Sequence, residues 1–257
     1  MTIPATRPAP TERKHPVIEL FGPTIQGEGP DAGTPCVFVR FGGCDYRCSW
    51  CDSLHAVTPE VVRRTATFLT TDEIAQRLLG LADDPSGLLA VLSGGNPALH
   101  EIGDLVRQLQ TAGMRVSVET QGSVWRDWLG GVDRLVVSPK PPSSGMSEHA
   151  LGDETTAFME HVARTRQGTD TCLKVVCFDE ADYEFALAFR ASHRDRAGDP
   201  WPLFLSAGTD VDTEFQLDGV ARRFRWLCER VAPDPRSRDC VVLPQLHVVA
   251  WGTEKGR

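Results

Sequence analysis

Between residues 37 and 243, short β-branched runs alternate with amphipathic segments, and this order limits the chain to few architectures. The predicted strands are 37–41, 88–92, 115–119, 134–138, 173–178, 203–206 and 240–243. Predicted helices fall between them. Helix 72–82 follows the capping pair Thr70-Thr71 and carries Ile74, Leu78, Leu79 and Leu81 on one broad face. Helix 102–112 stops at Gly113, and three more span 155–166, 181–192 and 213–231. Units in this order build a parallel sheet, closed or partly closed. The expected fold is α/β, a partial (β/α) TIM-like barrel of about six βα units. Residues 1–16, rich in Pro, Thr and charge, read as a flexible N-terminal leader, and 17–257 as a single domain.

In βα barrels, chemistry gathers in the loops after the C-terminal ends of the strands. The unusual segments of this chain fall there. A cysteine cluster follows the first predicted strand, Ser93-Gly94-Gly95-Asn96-Pro97 the second and Thr120-Gln121-Gly122 the third. Pro139-Lys140-Pro141-Pro142 follows the fourth, and Ala207-Gly208-Thr209 a later one. Each alone is ordinary turn chemistry; all of them on one face suggest a single site. Bulk charge narrows the partners. A formal net charge of −8 argues against nucleic acid held on a basic surface. With no apolar run of membrane-spanning length and no signal-peptide pattern, the chain is expected to be cytoplasmic and without a membrane partner.

Of the eight cysteines, Cys36, Cys172, Cys177, Cys228 and Cys240 are scattered and read as buried free thiols. Cys44, Cys48 and Cys51 form a Cys-x3-Cys-x2-Cys cluster with no fourth cysteine nearby. Iron–sulfur cubanes usually take four thiolates, so three would leave one iron open, and an open metal position marks a catalytic site. Structural zinc is the alternative, with His55 as the fourth ligand. Spacing alone also permits coincidence.

The spacing, with Trp50 just before the third cysteine, resembles the radical S-adenosylmethionine (SAM) signature. Gly94-Gly95-Asn96-Pro97 resembles the Gly-Gly-Glu-Pro loop of that superfamily, departing from it at Asn96, which weakens any role for that side chain. Further segments are similar to the 7-carboxy-7-deazaguanine synthase family. They are Phe21-Gly-Pro-Thr-Ile-Gln-Gly-Glu-Gly29, Phe38-Val-Arg-Phe41, Glu119-Thr-Gln-Gly122, Ser138-Pro-Lys-Pro-Pro-Ser-Ser144 and Leu243-Pro-Gln-Leu-His-Val-Val-Ala-Trp-Gly252.

The resemblance implies a carbon–nitrogen lyase with a [4Fe–4S] cluster on Cys44, Cys48 and Cys51, SAM on its open iron, and Mg²⁺ on Ser53. An adenosyl radical would take the C6 hydrogen of 6-carboxy-5,6,7,8-tetrahydropterin. Ring contraction to 7-carboxy-7-deazaguanine would follow, with loss of ammonia and recovery of SAM, for queuosine or other deazapurine biosynthesis. Ile25, Gln26, Gly27, Glu28, Arg40, Thr120 and His247 would bind substrate, Arg40 through the carboxylate its planar fork matches. SAM would meet Trp50, Asp52, Gly94, Gly95, Gly122, Ser138, Pro139, Lys140 and the loop Ser206, Ala207, Gly208, Thr209. No side chain is assigned as catalytic, because the SAM radical carries the chemistry. An external flavodoxin- or ferredoxin-type donor and a homodimer are implied as well. Lys174, on the fifth predicted strand, has two readings, a residue lining the barrel mouth or the solvated lysine usual on a strand; it and the C-terminus are given no role. Two rivals stand beside this reading: an activating enzyme for glycyl radicals, which shares the first segment, and a zinc-binding interaction module.

Overall fold

The computed structural model describes residues 13–166, 170–209, 217–252, 254 and 256. In chain order its elements are β1 (Lys14–Ile25), β2 (Pro35–Phe41), α1 (Leu54–Val57), α2 (Pro59–Thr65), β3 (Thr67–Thr70) and α3 (Thr71–Leu79). There follow β4 (Leu89–Gly94), α4 (Gly103–Thr111), β5 (Arg115–Thr120), β6 (Arg134–Val137), α5 (Ser147–Ala150) and α6 (Asp153–Thr165). The chain continues through β7 (Thr171–Cys177), α7 (Glu180–Ser192), β8 (Leu203–Ala207), α8 (Leu217–Val231), β9 (Val241–Leu243) and α9 (Leu246–Trp251).

One sheet runs β3-β1-β2-β4-β5-β6-β7-β8-β9. From β2 to β9 all neighbours are parallel, whereas β1 pairs antiparallel with both β2 and β3. The sheet ends, β3 and β9, do not pair with each other, so the barrel is partial, as expected. All seven predicted strands and five predicted helices are present with shifted ends. Thr70 caps α3 in a reciprocal box: its hydroxyl accepts from the Glu73 N–H at 3.2 Å, and its own N–H donates to Glu73 Oε2 at 2.7 Å. That helix closes at Gly80, short of residue 82, because glycine propagates a helix poorly. The first residues of the predicted helix 213–231 lie outside the described residues; the rest begins at Leu217.

Two strands escape the sequence pattern. Pro16 and Gly22-Pro23 break the alternation of β1, and its ladder is irregular between Val17 and Glu19 and again between Phe21 and Thr24. The strand starts at Lys14, so residues 14–16 of the expected leader belong to the sheet; residues 1–12 lie outside the described residues.

Strand parity separates two faces. Val37, Val39 and Phe41, then Ala90 and Leu92, Val116 and Val118, Leu135 and Val137, and Leu173 and Val175 pack under the helices in the main core. Fully burying each such side chain contributes on the order of 1.5–3 kcal/mol. The intervening residues face the barrel interior. Its floor is apolar, with Cys36, Leu89 and Val91 against Phe38. Toward the strands' C-terminal ends the same face turns polar, through Arg40, Ser93, Glu119, Ser138 and Lys174. That gradient places a polar site above a dry floor.

Candidate active site

At the C-terminal ends of the parallel strands lies a cavity of about 420 Å³. Cys44, Cys48 and Cys51 border it from the loop after β2. Burial pushes all three thiols above the ordinary range, with Lys140 acting in the opposite direction on each, so a metal must displace their protons to bind. The Tyr46 N–H donates to Cys44 Sγ at 3.4 Å, and Gln121 Nε2 approaches it at 3.8 Å. His55, the spare zinc ligand in sequence, instead meets Glu19 Oε1 at 2.9 Å. Among the described residues no three His, Cys, Asp or Glu side chains converge tightly enough for a single ion. Three thiols that share a loop and a cavity wall, without meeting at one point, fit a cluster that takes one thiolate per iron and keeps one iron open.

The Gly-Gly-Asn-Pro loop braces this cluster loop. The Gly95 N–H donates to the Phe41 carbonyl at 2.9 Å and the Asn96 N–H to the Gly43 carbonyl at 2.7 Å. A Cβ on Gly94 would overlap the Phe41 backbone, and one on Gly95 the Gly43 carbonyl. Both glycines border the cavity, but the close approach that requires them is to the cluster loop's own backbone.

The residues expected at the substrate converge. Ile25, Gln26, Gly27, Glu28, Arg40, Thr120 and His247 all border the cavity. Gln26 Oε1 accepts from the N–H groups of Gly27 (2.7 Å) and Glu28 (3.3 Å), shaping the turn after β1. A Cβ on Gly27 would overlap the His247 ring, and the Leu246 N–H donates to the Gly27 carbonyl at 3.0 Å, so this glycine seats α9 against the turn. Arg40 Nε donates to Glu19 Oε2 at 3.1 Å and its Nη1 to Ser53 Oγ at 2.7 Å. Thr120 donates its proton to Asn96 Oδ1 at 2.9 Å, so toward a ligand its hydroxyl offers only acceptor capacity.

Of the expected SAM contacts, Trp50, Asp52, Gly94, Gly95, Ser138, Lys140 and Thr209 border the cavity, as does Ser53. Trp50 Nε1 donates to Ser143 Oγ at 2.9 Å while its ring leans on Phe178, with centroids 5.2 Å apart. Lys140 Nζ donates to Ser138 Oγ at 3.0 Å. Gly122, Pro139, Ser206, Ala207 and Gly208, also expected at SAM, stand behind the cavity wall. Gly122 packs toward Val137 and Phe158, the Phe178 ring covers Gly208, and Pro139, Ser206 and Ala207 are buried, the Ser206 hydroxyl without a partner.

The sequence reading misses Glu19, Glu119, Lys174 and Gln245 on the cavity wall. Lys174, left between barrel mouth and solvent and given no role, has 5 % of its side-chain surface exposed and is ion-paired to both Glu28 (2.8 Å) and Glu119. Burial alone would raise the Glu28 carboxyl, but Lys174 and His247, with hydrogen bonds from Lys174 and Gln245, outweigh it and hold the group at about 2. Burial likewise opposes the Lys174 charge, and the two carboxylates override it, raising its pKa. Parity along β7 was the available signal: Cys172, Lys174 and Val176 alternate with the core residues Leu173, Val175 and Cys177. Of the other cysteines, Cys36, Cys172 and Cys177 are buried free thiols as read, whereas Cys228 and Cys240 are half-buried.

Comparison with known proteins agrees. Residues 38–140 match the Radical SAM superfamily. The 7-carboxy-7-deazaguanine synthase of Bacillus cereus is 36% identical over 253 residues, 95% of this chain and 99% of the relative. That of Bacillus subtilis is 36% identical over 252 residues, 94% and 98% of the two chains. The crystal structure of QueE from Escherichia coli superposes with a TM-score of 0.64 at 18% identity, covering 91% of this chain and 95% of that one, a likeness of fold. SuiB of Streptococcus suis, solved bound to its precursor peptide SuiA, shares the fold more loosely, with a TM-score of 0.55 at 11% identity over 80% of this chain and 48% of that one. Identity of this order along nearly the whole length of two relatives assigns the chain: it belongs to the 7-carboxy-7-deazaguanine synthase family of radical SAM enzymes.

Proposed function

We propose that this chain converts 6-carboxy-5,6,7,8-tetrahydropterin to 7-carboxy-7-deazaguanine and ammonia inside the cavity above β2–β9, in queuosine or related deazapurine biosynthesis. One observation supports the reading most: a single cavity joins the three cluster thiols to Arg40, Glu28 and His247, a cation, an anion and an imidazole suited to a carboxylated, N–H-rich heterocycle. Bound at the open iron, SAM supplies a hydrogen-abstracting carbon radical. The chain's own share is placement and exclusion of water. Arg40 turns its fork from Glu19 and Ser53 to the substrate carboxylate, Glu28 accepts from ring N–H groups, and Gln26 and His247 close the sides.

Mg²⁺ on Ser53 is part of the proposal. The Ser53 hydroxyl is a hard oxygen at the cavity wall, and here it accepts from Arg40. A guanidinium at 2.7 Å opposes a divalent cation, so the ion and the carboxylate-bound Arg40 go together. When bound, the ion would fix substrate oxygens as a template and electrostatic clamp. Eight free cysteines and no disulfide among the described residues support work in a reducing cytoplasm, where a flavodoxin- or ferredoxin-type donor would supply electrons. A homodimer completes the reading.

Anaerobically reconstituted protein, given the pterin, SAM, reductant and Mg²⁺, is expected to release 7-carboxy-7-deazaguanine and ammonia one-to-one without consuming SAM. Omitting Mg²⁺ slows wild type and leaves Ser53→Ala nearly unchanged. Clean SAM binding with no product would sink the substrate assignment.

A further inference from the structure

Lys174 stands where strand register brings it beside Glu119. Glu119 pairs with Val136 on β6, Val136 pairs with Cys172 on β7, and Lys174 follows two residues on, facing the same way. The turn after β1 lowers Glu28 onto this pair. Lys174 Nζ donates to Glu28 Oε2 at 2.8 Å and is ion-paired with Glu119 Oε1. Glu28 Oε1 accepts from Gln245 Nε2 at 3.0 Å, and Gln245 Oε1 accepts from Thr209 Oγ1 at 2.7 Å. Segments distant in sequence therefore meet at one ammonium.

The arrangement is poorly explained as a fold-stabilising ion pair. Two carboxylates and one ammonium leave a net negative charge on a mostly buried wall, and buried ion clusters are often outperformed by apolar residues of similar volume. Glu119 is ion-paired with Lys174 through Oε1 and borders the cavity, and a carboxylate has acceptor capacity beyond that one contact. The ammonium has three donors and spends two on these carboxylates. Acceptors beside a spare donor complement a 2-amino-4-oxopyrimidine edge, which presents an amino group, a ring N–H and a carbonyl in a row.

We propose that Lys174 is a positioning residue for substrate recognition: it holds Glu28 and Glu119 together as paired acceptors for the aminopyrimidinone edge and offers its remaining N–H to the ring carbonyl. This deepens the substrate reading above and rests on it.

The test uses anaerobically loaded holoenzyme. Lys174→Met should raise KM for the carboxy-tetrahydropterin at least tenfold while iron content and SAM binding stay at wild-type levels. It should also add an acid limb to kcat/KM, because Glu28 would then face His247 and Gln245, with Glu119 nearby and no ammonium to keep it ionised. Lys174→Arg, which keeps the cation, should recover most of both effects; a purely packing role predicts no such recovery. Glu119→Gln keeps the volume and should raise KM several-fold, which serves should Lys174→Met fail to fold. Wild type active on the pterin with KM unchanged in Lys174→Met, or in Glu119→Gln where only that variant folds, overturns this inference alone. Wild type inert toward the pterin overturns both.

Discussion

The side-chain amide of Asn96 donates to Asp45 Oδ1 at 3.0 Å, binding the Gly-Gly-Asn-Pro loop to the loop that carries the cluster cysteines. The same amide donates to Ser123 Oγ at 3.1 Å, and its oxygen accepts from Thr120 Oγ1 (2.9 Å) and the Ala98 N–H (3.1 Å). Four hydrogen bonds saturate a fully buried side chain. Asp45, which also accepts from Gln121 Nε2 at 2.5 Å, needs donors at this junction, and a carboxylate in place of Asn96 has none. The departure from Gly-Gly-Glu-Pro is thus matched by an acid in the neighbouring loop. Asn96 acts on the site through the cluster loop and does not border the cavity.

Asn96→Asp removes two donated hydrogen bonds and sets two carboxylates face to face. Each buried polar group left unsatisfied costs about 1–3 kcal/mol. The variant should lose roughly 2–4 kcal/mol in denaturant unfolding of the cluster-free protein, and retain less iron after reconstitution. Pairing it with Asp45→Asn restores a donor opposite the new acid and should recover much of the loss. Stability of the single variant within about 0.5 kcal/mol of wild type, the range of ordinary surface changes, contradicts this account.

Gly27→Ala tests a second close approach. A methyl there overlaps the His247 ring, so α9 must move or the turn after β1 must open. KM for substrate should rise about tenfold or more with iron and SAM binding retained, since the displaced residues border the substrate end of the cavity. Unchanged KM would show that the contact yields freely.

The order of βα units was legible because parallel strands packed under helices leave short, mostly apolar runs between amphipathic segments, as in 88–92 and 173–178. The cluster was legible from spacing and the substrate residues from resemblance. β1 was not, since Pro16 and Gly22-Pro23 hide its period, and the four-residue β3 is too short to show one. Glu119 and Lys174 were hidden for another reason. Parity sets Lys174 apart from the core residues of β7, but it does not say whether the other face meets solvent or a barrel interior until register shows which neighbours share that face. Arg40 posed the same problem, and the family motif, with its place between Val39 and Phe41 in an apolar run, pointed it inward.

Replacing any of Cys44, Cys48 or Cys51 by Ala should abolish the iron–sulfur absorbance and most labile sulfide. Cys36→Ala, Cys172→Ala and Cys177→Ala should keep both, because these thiols are buried in the fold and none of them borders the cavity that the cluster cysteines line. Iron and sulfide assays on the six variants decide it. Loss of the cluster in one of the buried set, in a variant that folds, would break the assignment of ligands.

Acid stability should fall in two stages: His100 acts in the upper one beside His15, which burial also lowers, and Glu28 is among the carboxylates that act in the lower one. Burial, with the charges of His15, Arg126 and Arg13, lowers His100 from its ordinary 6.5 to about 4, although its ring nitrogen meets the Gly42 carbonyl at 3.0 Å. Its pKa is depressed on folding, so the contribution of its neutral form is whole above pH 6.5 and fades as pH falls toward 4. Glu28 is depressed from 4.5 to about 2, so its contribution is whole above pH 4.5 and fades toward 2. Lys174 is raised, so its share is complete below its ordinary 10.5 and is lost only as pH climbs through the higher folded value. Urea midpoints should therefore be level from about pH 7 to 10 as far as these groups act, and decline below 6.5. His100→Gln should flatten the decline between pH 6.5 and 4, and Glu28→Gln the decline below 4.5. If His100→Gln leaves the upper stage intact, the imidazole is not the group that titrates there.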